Sequence, residues 1–125
     1  MIFGLFETKR QTLVKLTKES LVQANEQLDV FQEMMAEDII IWIIRCIDAD
    51  TETLKKIGQE AIELRHSSMS HLGEKDMRWI RACIIENYVA AQILGSEKVI
   101  TMIINWLRDN TPKVYKRYKK KLNKV

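Results

Sequence analysis

The sequence predicts an all-α fold, a single-domain bundle of five to six helices with a long N-terminal helix. Two observations carry this expectation. Chain-breaking residues are scarce, with Pro112 the one proline beside four glycines in 125 residues, whereas small β domains need frequent turn residues. Apolar residues also recur at intervals of three and four along most of the chain, the spacing that gathers them on one face of a helix. A chain of this length, 46% hydrophobic, closes one core without a disulfide or structural metal.

Taken in order, the first helix is expected to start at Thr8, whose hydroxyl caps the turn while Gln11 returns the bond in a capping box. Val14, Thr17, Leu21, Ala24, Leu28, Phe31 and Met35 then fall at a and d positions of a heptad, which draws one seam along a helix of about 25 residues. The run Ile39 to Ile44 is β-branched enough for a strand. It reads as a buried helix because no turn residue precedes it and no second strand is available to pair with it.

Asp48 and Asp50 supply capping side chains, and Thr51 to Arg65 form a helix with Leu54, Ile57, Ala61 and Leu64 on one face. Ser67 to Gly73 read as an irregular corner, with Gly73 as a left-handed helix terminator. Asp76 to Leu94 form the fourth helix, Gly95 stops it and Ser96 caps the next. Val99 to Leu107 are apolar nearly all round, which predicts a central helix. Thr111 is expected to cap a final helix that opens on Pro112 and turns Tyr115, Tyr118 and Leu122 to one side.

A pattern of Trp42, Ile43, Cys46 and Ile47 returns 37 residues later as Trp79, Ile80, Cys83 and Ile84. Gly58 is expected mid-helix and Gly95 at a helix end, so the pattern reads as similarity between isoleucine-rich helices and not as a solenoid repeat.

The net charge of +3 conceals an asymmetry. Residues 113–125 hold seven of the twenty Lys and Arg and no acid, leaving thirteen cations against seventeen anions, a net of −4, on the remainder. The chain divides accordingly into a helical bundle over residues 1–112 and a basic C-terminal helix or tail over 113–125. Lys113, Lys116, Arg117, Lys119, Lys120, Lys121 and Lys124, interleaved with Tyr115 and Tyr118, suit contact with nucleic acid or an anionic membrane surface. A terminal helix that packs its tyrosines on the body and leaves its lysines in water is the preferred reading.

Cys46 and Cys83 sit in apolar stretches without metal-finger or disulfide spacing, so they read as small buried hydrophobes in a reducing cytoplasm. Met1 to Phe6 are too short an apolar stretch for a secretory signal, and no run approaches the ~20 residues that span a bilayer. No glycine-rich phosphate loop or Ser-His-Asp signature is present, and no cofactor is expected. Glu60, Glu63 and His66 contain the Glu-x-x-His pair of di-iron bundles. A second pair is lacking, so no metal is expected either.

The segment Arg65, His66, Ser67, Ser68, Met69, Ser70, His71 is similar to the Arg-x(4–6)-His motif of the HEPN ribonucleases, all-α domains in which His and Arg act on RNA in a dimer cleft. That resemblance implies a metal-independent cleavage with His71 as base for the ribose 2′-hydroxyl and Arg65 as phosphate clamp. In that family the motif lies near the final helix, whereas more than fifty residues follow it here. The plainer reading places Arg65 and His66 in a last helical turn, facing exposed carbonyls.

The order of helices from Leu13 to Leu107 resembles a PhoU-like domain. Three stretches carry the resemblance: Asp50, Thr51, Glu52, Leu54, Ile57, Glu60, Ile62 and Glu63; Asp76, Met77 and Arg78; and Ile93, Leu94, Gly95 and Ser96. It implies a phosphate-homeostasis regulator built as a helical bundle. Ala91, Gln92 and Ser96 stand where that family places metal-binding acids, so metal binding is not implied. The function expected is thus a cytoplasmic, non-enzymatic regulator or adaptor acting through a protein partner. A homodimer is expected from the long heptad seam and the abundance of Ile and Trp. Two readings stay open beside it, a HEPN-like ribonuclease using Arg65 and His71, and a nucleic-acid or anionic-membrane binder using the basic C-terminal residues.

Overall fold

A computed structural model describes residues 8–26, 32–72 and 77–123. They form six helices, α1 (Lys9–Glu26), α2 (Gln32–Ile47), α3 (Thr51–Leu72), α4 (Met77–Leu94), α5 (Glu97–Asn110) and α6 (Pro112–Leu122), with no strand among the described residues. The helix ends follow local chemistry. Thr8 and Gln11 form the expected capping box: the Thr8 N–H donates to Gln11 Oε1 at 2.9 Å and the Gln11 N–H to Thr8 Oγ1 at 3.1 Å. Asp50 Oδ1 accepts the Thr53 N–H at 2.7 Å, which satisfies one orphan donor of α3 and holds the Asp50 carboxyl below its ordinary range.

At the end of α4, Gly95 adopts φ 69°. The Ser96 N–H reaches back to the Ala91 carbonyl at 2.8 Å and the Gly95 N–H to that of Gln92 at 3.3 Å, the paired bonds of a Schellman turn. Ser96 occupies the N-cap of α5 without a side-chain cap bond. Thr111 likewise caps α6 by position only, because its hydroxyl donates backward to the Leu107 carbonyl at 2.6 Å. Both hydroxyls had been expected to bond forward into the following helix.

Cross-helix bonds establish direction. Arg10 meets the Leu94 carbonyl and Asn87 meets Ser20, so α1 runs antiparallel to α4. Arg81 meets Asp38 and Gln92 meets the Cys46 carbonyl, so α2 runs parallel to α4. The predicted single helix through both heptad halves is therefore two helices of opposite direction. Thr17, Leu21, Ala24 and Met35 are all buried, and α1 and α2 both lie against α4, so these seam residues are covered within the chain. Leu28 and Phe31 lie outside the described residues.

α4 occupies the centre, packed by α1, α2, α3 and α5, and α6 closes the cleft between α2 and α5. The central position had been expected of residues 99–107. In α5 only one face is buried, through Val99, Ile103, Trp106 and Leu107, while Thr101, Arg108 and Asp109 are exposed. α4 wins the centre because Ile80, Ile84, Ile85, Tyr88 and Val89 face neighbours on several sides at once. Gly58, mid-helix as expected, brings α3 close to α4: a Cβ there would lie 3.2 Å from Val89 Cγ1.

The isoleucine run is helical. Ile39, Ile40 and Ile43 are fully buried and Ile41 faces outward. The irregular corner expected over residues 67–73 is also helix as far as Leu72. Serine disfavours a helix interior only weakly, and a helix already held against a neighbour continues through such residues.

Candidate functional site

Around α4 the packing runs α3, α2, α6, α5, α1, and between the two ends of this series, α1 and α3, lies an open groove of about 270 Å³. Its floor is α4, which contributes Trp79, Cys83, Glu86 and Asn87. Its walls are Leu16, Glu19, Ser20 and Gln23 of α1 and Arg65 of α3. The polar residues that interrupt the apolar pattern of α4 are there because they have partners across a helix boundary. Arg65 Nε donates to Glu86 Oε2 at 2.9 Å and Arg65 Nη2 to Oε1 at 3.4 Å. Asn87 Nδ2 donates to Ser20 Oγ at 3.3 Å, and Ser20 Oγ donates to the Leu16 carbonyl at 2.9 Å.

Two further features stand beside these bonds. Leu16 is 49% exposed at the rim. The Trp79 indole N–H is shielded from water and has no hydrogen-bond partner among the described residues, an arrangement that costs about 1–3 kcal/mol. Cys83 adds apolar surface and no nucleophile: burial pushes its thiol up to about 12, against a smaller opposite pull from Arg65. Cys46, fully buried on α2, is raised to about 11 by the same cause.

Arg65 and His71 share α3, where a separation of six residues means about 9 Å along the axis and about 120° around it. The Arg65 guanidinium is held by Glu86, and the His71 side chain lies outside what is described. Glu60 is paired with Arg45 at 3.1 Å and Glu63 accepts from Gln59 at 3.5 Å. Among the described residues no three His, Cys, Asp or Glu stand close enough to hold a metal ion. None of the described helices is long and apolar enough to cross a membrane.

The basic C-terminal residues form a second surface. In α6, Val114, Tyr115 and Leu122 are buried and Tyr118 half-buried against α2 and α5, as expected for tyrosines packed on the body. The Tyr118 hydroxyl donates to Glu37 Oε1 at 3.1 Å, a bond that raises the phenol above its ordinary range. Lys113, Lys116, Arg117, Lys119, Lys120 and Lys121 are exposed on the other side, with Arg117 3.7 Å from Glu37. Lys124 lies outside the described residues.

Sequence reasoning identified Arg65 and the basic helix but passed over Glu86, Trp79 and Leu16. A signal was present for the first: Glu86 and Asn87 interrupt the apolar run of α4, and a polar residue on a mostly buried helix requires a partner. Nothing in the local sequence distinguishes Leu16 from a core leucine. Against protein-family models, curated proteins and solved structures alike, the chain finds no match.

Proposed function

We propose that this chain is a non-enzymatic regulatory adaptor that acts through protein–protein interaction, receiving an apolar segment of a partner in the groove between α1 and α3. The observation that supports this reading is the uncovered strip of α4, where half-buried Trp79 and Cys83 lie beside the exposed Leu16. Tryptophan set in an apolar recess with a polar rim is the arrangement that dominates binding energy at protein interfaces. The internal Arg65–Glu86 pair cancels two of the three charges that line the groove and leaves the Glu19 carboxylate at its rim.

A photo-crosslinking residue at position 16 tests the reading in cells that make the protein. The expected result is one crosslinked partner whose joined peptide is apolar, lost when Cys83→Lys fills the groove while the circular dichroism spectrum is unchanged. No crosslink, or the same crosslink with the groove filled, refutes it. A crosslink to a second copy of the chain would make the partner the chain itself, and a concentration-dependent solution mass would then accompany it.

A further inference from the structure

On the far side of α4 from the groove, α6 presents a face rich in cations. Lys113, Lys116, Arg117 and Lys120 are exposed and fall within an arc of about 100° on the helix, over a length of about 10 Å. Lys119 and Lys121 flank that arc, and α6 contains no acid. The opposite arc is occupied by Val114, Tyr115 and Leu122, buried against α2 and α5. The four cations of the arc therefore face water in one direction, while the rest of the chain outside residues 113–125 has a net charge of −4.

We infer that this face binds the phosphodiester backbone of double-stranded nucleic acid, without regard to sequence. Charge density favours that occupant. A duplex presents one negative charge per ~1.7 Å of axis, or about six over the length of the cationic arc, enough to offer a phosphate to each of its four cations. A helix that binds a bilayer surface needs an apolar face to insert beside its cations, and in α6 that face is already buried in the bundle. Base readout is not expected, because Tyr115 is buried and Tyr118 is half-buried with its hydroxyl bonded to Glu37. That leaves no aromatic platform of the kind that single-stranded binders stack bases on. Lysine and arginine at phosphates give affinity and strong salt dependence, not sequence choice.

Fluorescence anisotropy of a short labelled DNA duplex of arbitrary sequence, titrated with the full chain at several salt concentrations, tests this. Four phosphate contacts give a slope of about −3.5 in log K against log salt, and K116Q/K120Q reduces it to about −2 with a loss of affinity of at least about tenfold at low salt. K55Q/K56Q removes the same charge from exposed positions on α3 and leaves the slope unchanged. All four positions are exposed, so circular dichroism of both variants should match the parent. The inference fails if the duplex does not bind at low salt, or if the two double variants behave alike. It fails equally if phosphatidylserine vesicles retain the chain as tightly as the duplex does, since that outcome assigns the face to a membrane surface. None of these results depends on the groove between α1 and α3.

Discussion

Ile41 and Ile43 are chemically identical and two residues apart, and the fold predicts that they behave differently on truncation to alanine. Ile43 is fully buried and Ile41 is 43% exposed. Removing three carbons from a buried isoleucine forfeits ~0.8 kcal/mol per methylene, about 2.4 kcal/mol in transfer free energy, before any cavity contribution. Alanine returns roughly 0.4 kcal/mol of helix propensity at either site. Ile43→Ala should therefore cost about 2–3 kcal/mol, with the cavity contribution moving it toward the upper figure. Ile41→Ala loses only its covered fraction of the transfer term and should cost about 1 kcal/mol or less. At this chain length each kilocalorie corresponds to roughly 4 °C in Tm, so the variants should separate by about 5–8 °C. Urea denaturation followed by far-ultraviolet circular dichroism, with the m-value checked for constancy, measures both. In a strand, Ile39, Ile41 and Ile43 would share one face. Equal losses at 41 and 43 would therefore refute the helical burial of this run.

Gly95→Ala should destabilise by about 1–2 kcal/mol because alanine resists the left-handed conformation that φ 69° requires, and thermal melts should show Gly95→Asn tolerated better. The nearest atom to a Cβ at that position is Arg10 Nη2 at 3.7 Å, so the loss is conformational rather than steric. Alkaline stability should carry the signature of the buried Cys46 thiol. Cys46 ionises near its ordinary value of 9.0 in the unfolded chain but only at about 11 when folded. Its contribution is thus fully present below pH ~9 and is lost as pH rises toward ~11, approaching about 2–3 kcal/mol. Cys46→Ala should flatten the fall in folding free energy across that interval relative to the parent, and an identical pH profile in the variant would refute the assignment.

The readable part of the fold was local. The Thr8–Gln11 capping box, the Asp50 cap, the Gly95 stop and the Pro112 start each depend on a few consecutive residues, and each appears in the structure. The packing of Tyr115, Tyr118 and Leu122 followed from their spacing of three and four. The serines of residues 67–70 favour an irregular corner, but α3 lies along α4, and a packed neighbour outweighs a few tenths of a kilocalorie of propensity. In the groove, Arg65 stood out by its place in a motif. Glu86 acquired meaning only when α3 and α4 met.

By itself, then, the order of amino acids determined that this chain is helical, where most of its helices begin and stop, and that its positive charge gathers at one end. These are properties of neighbours one to four positions apart, set by hydrogen bonding, backbone freedom and side-chain spacing. Only the tertiary structure decided that the heptad seam folds back on itself as two opposed helices, that α4 rather than α5 takes the centre, and that α1 and α3 leave a groove open. Such outcomes depend on which apolar face covers which, a competition among contacts tens of residues apart that no local window contains.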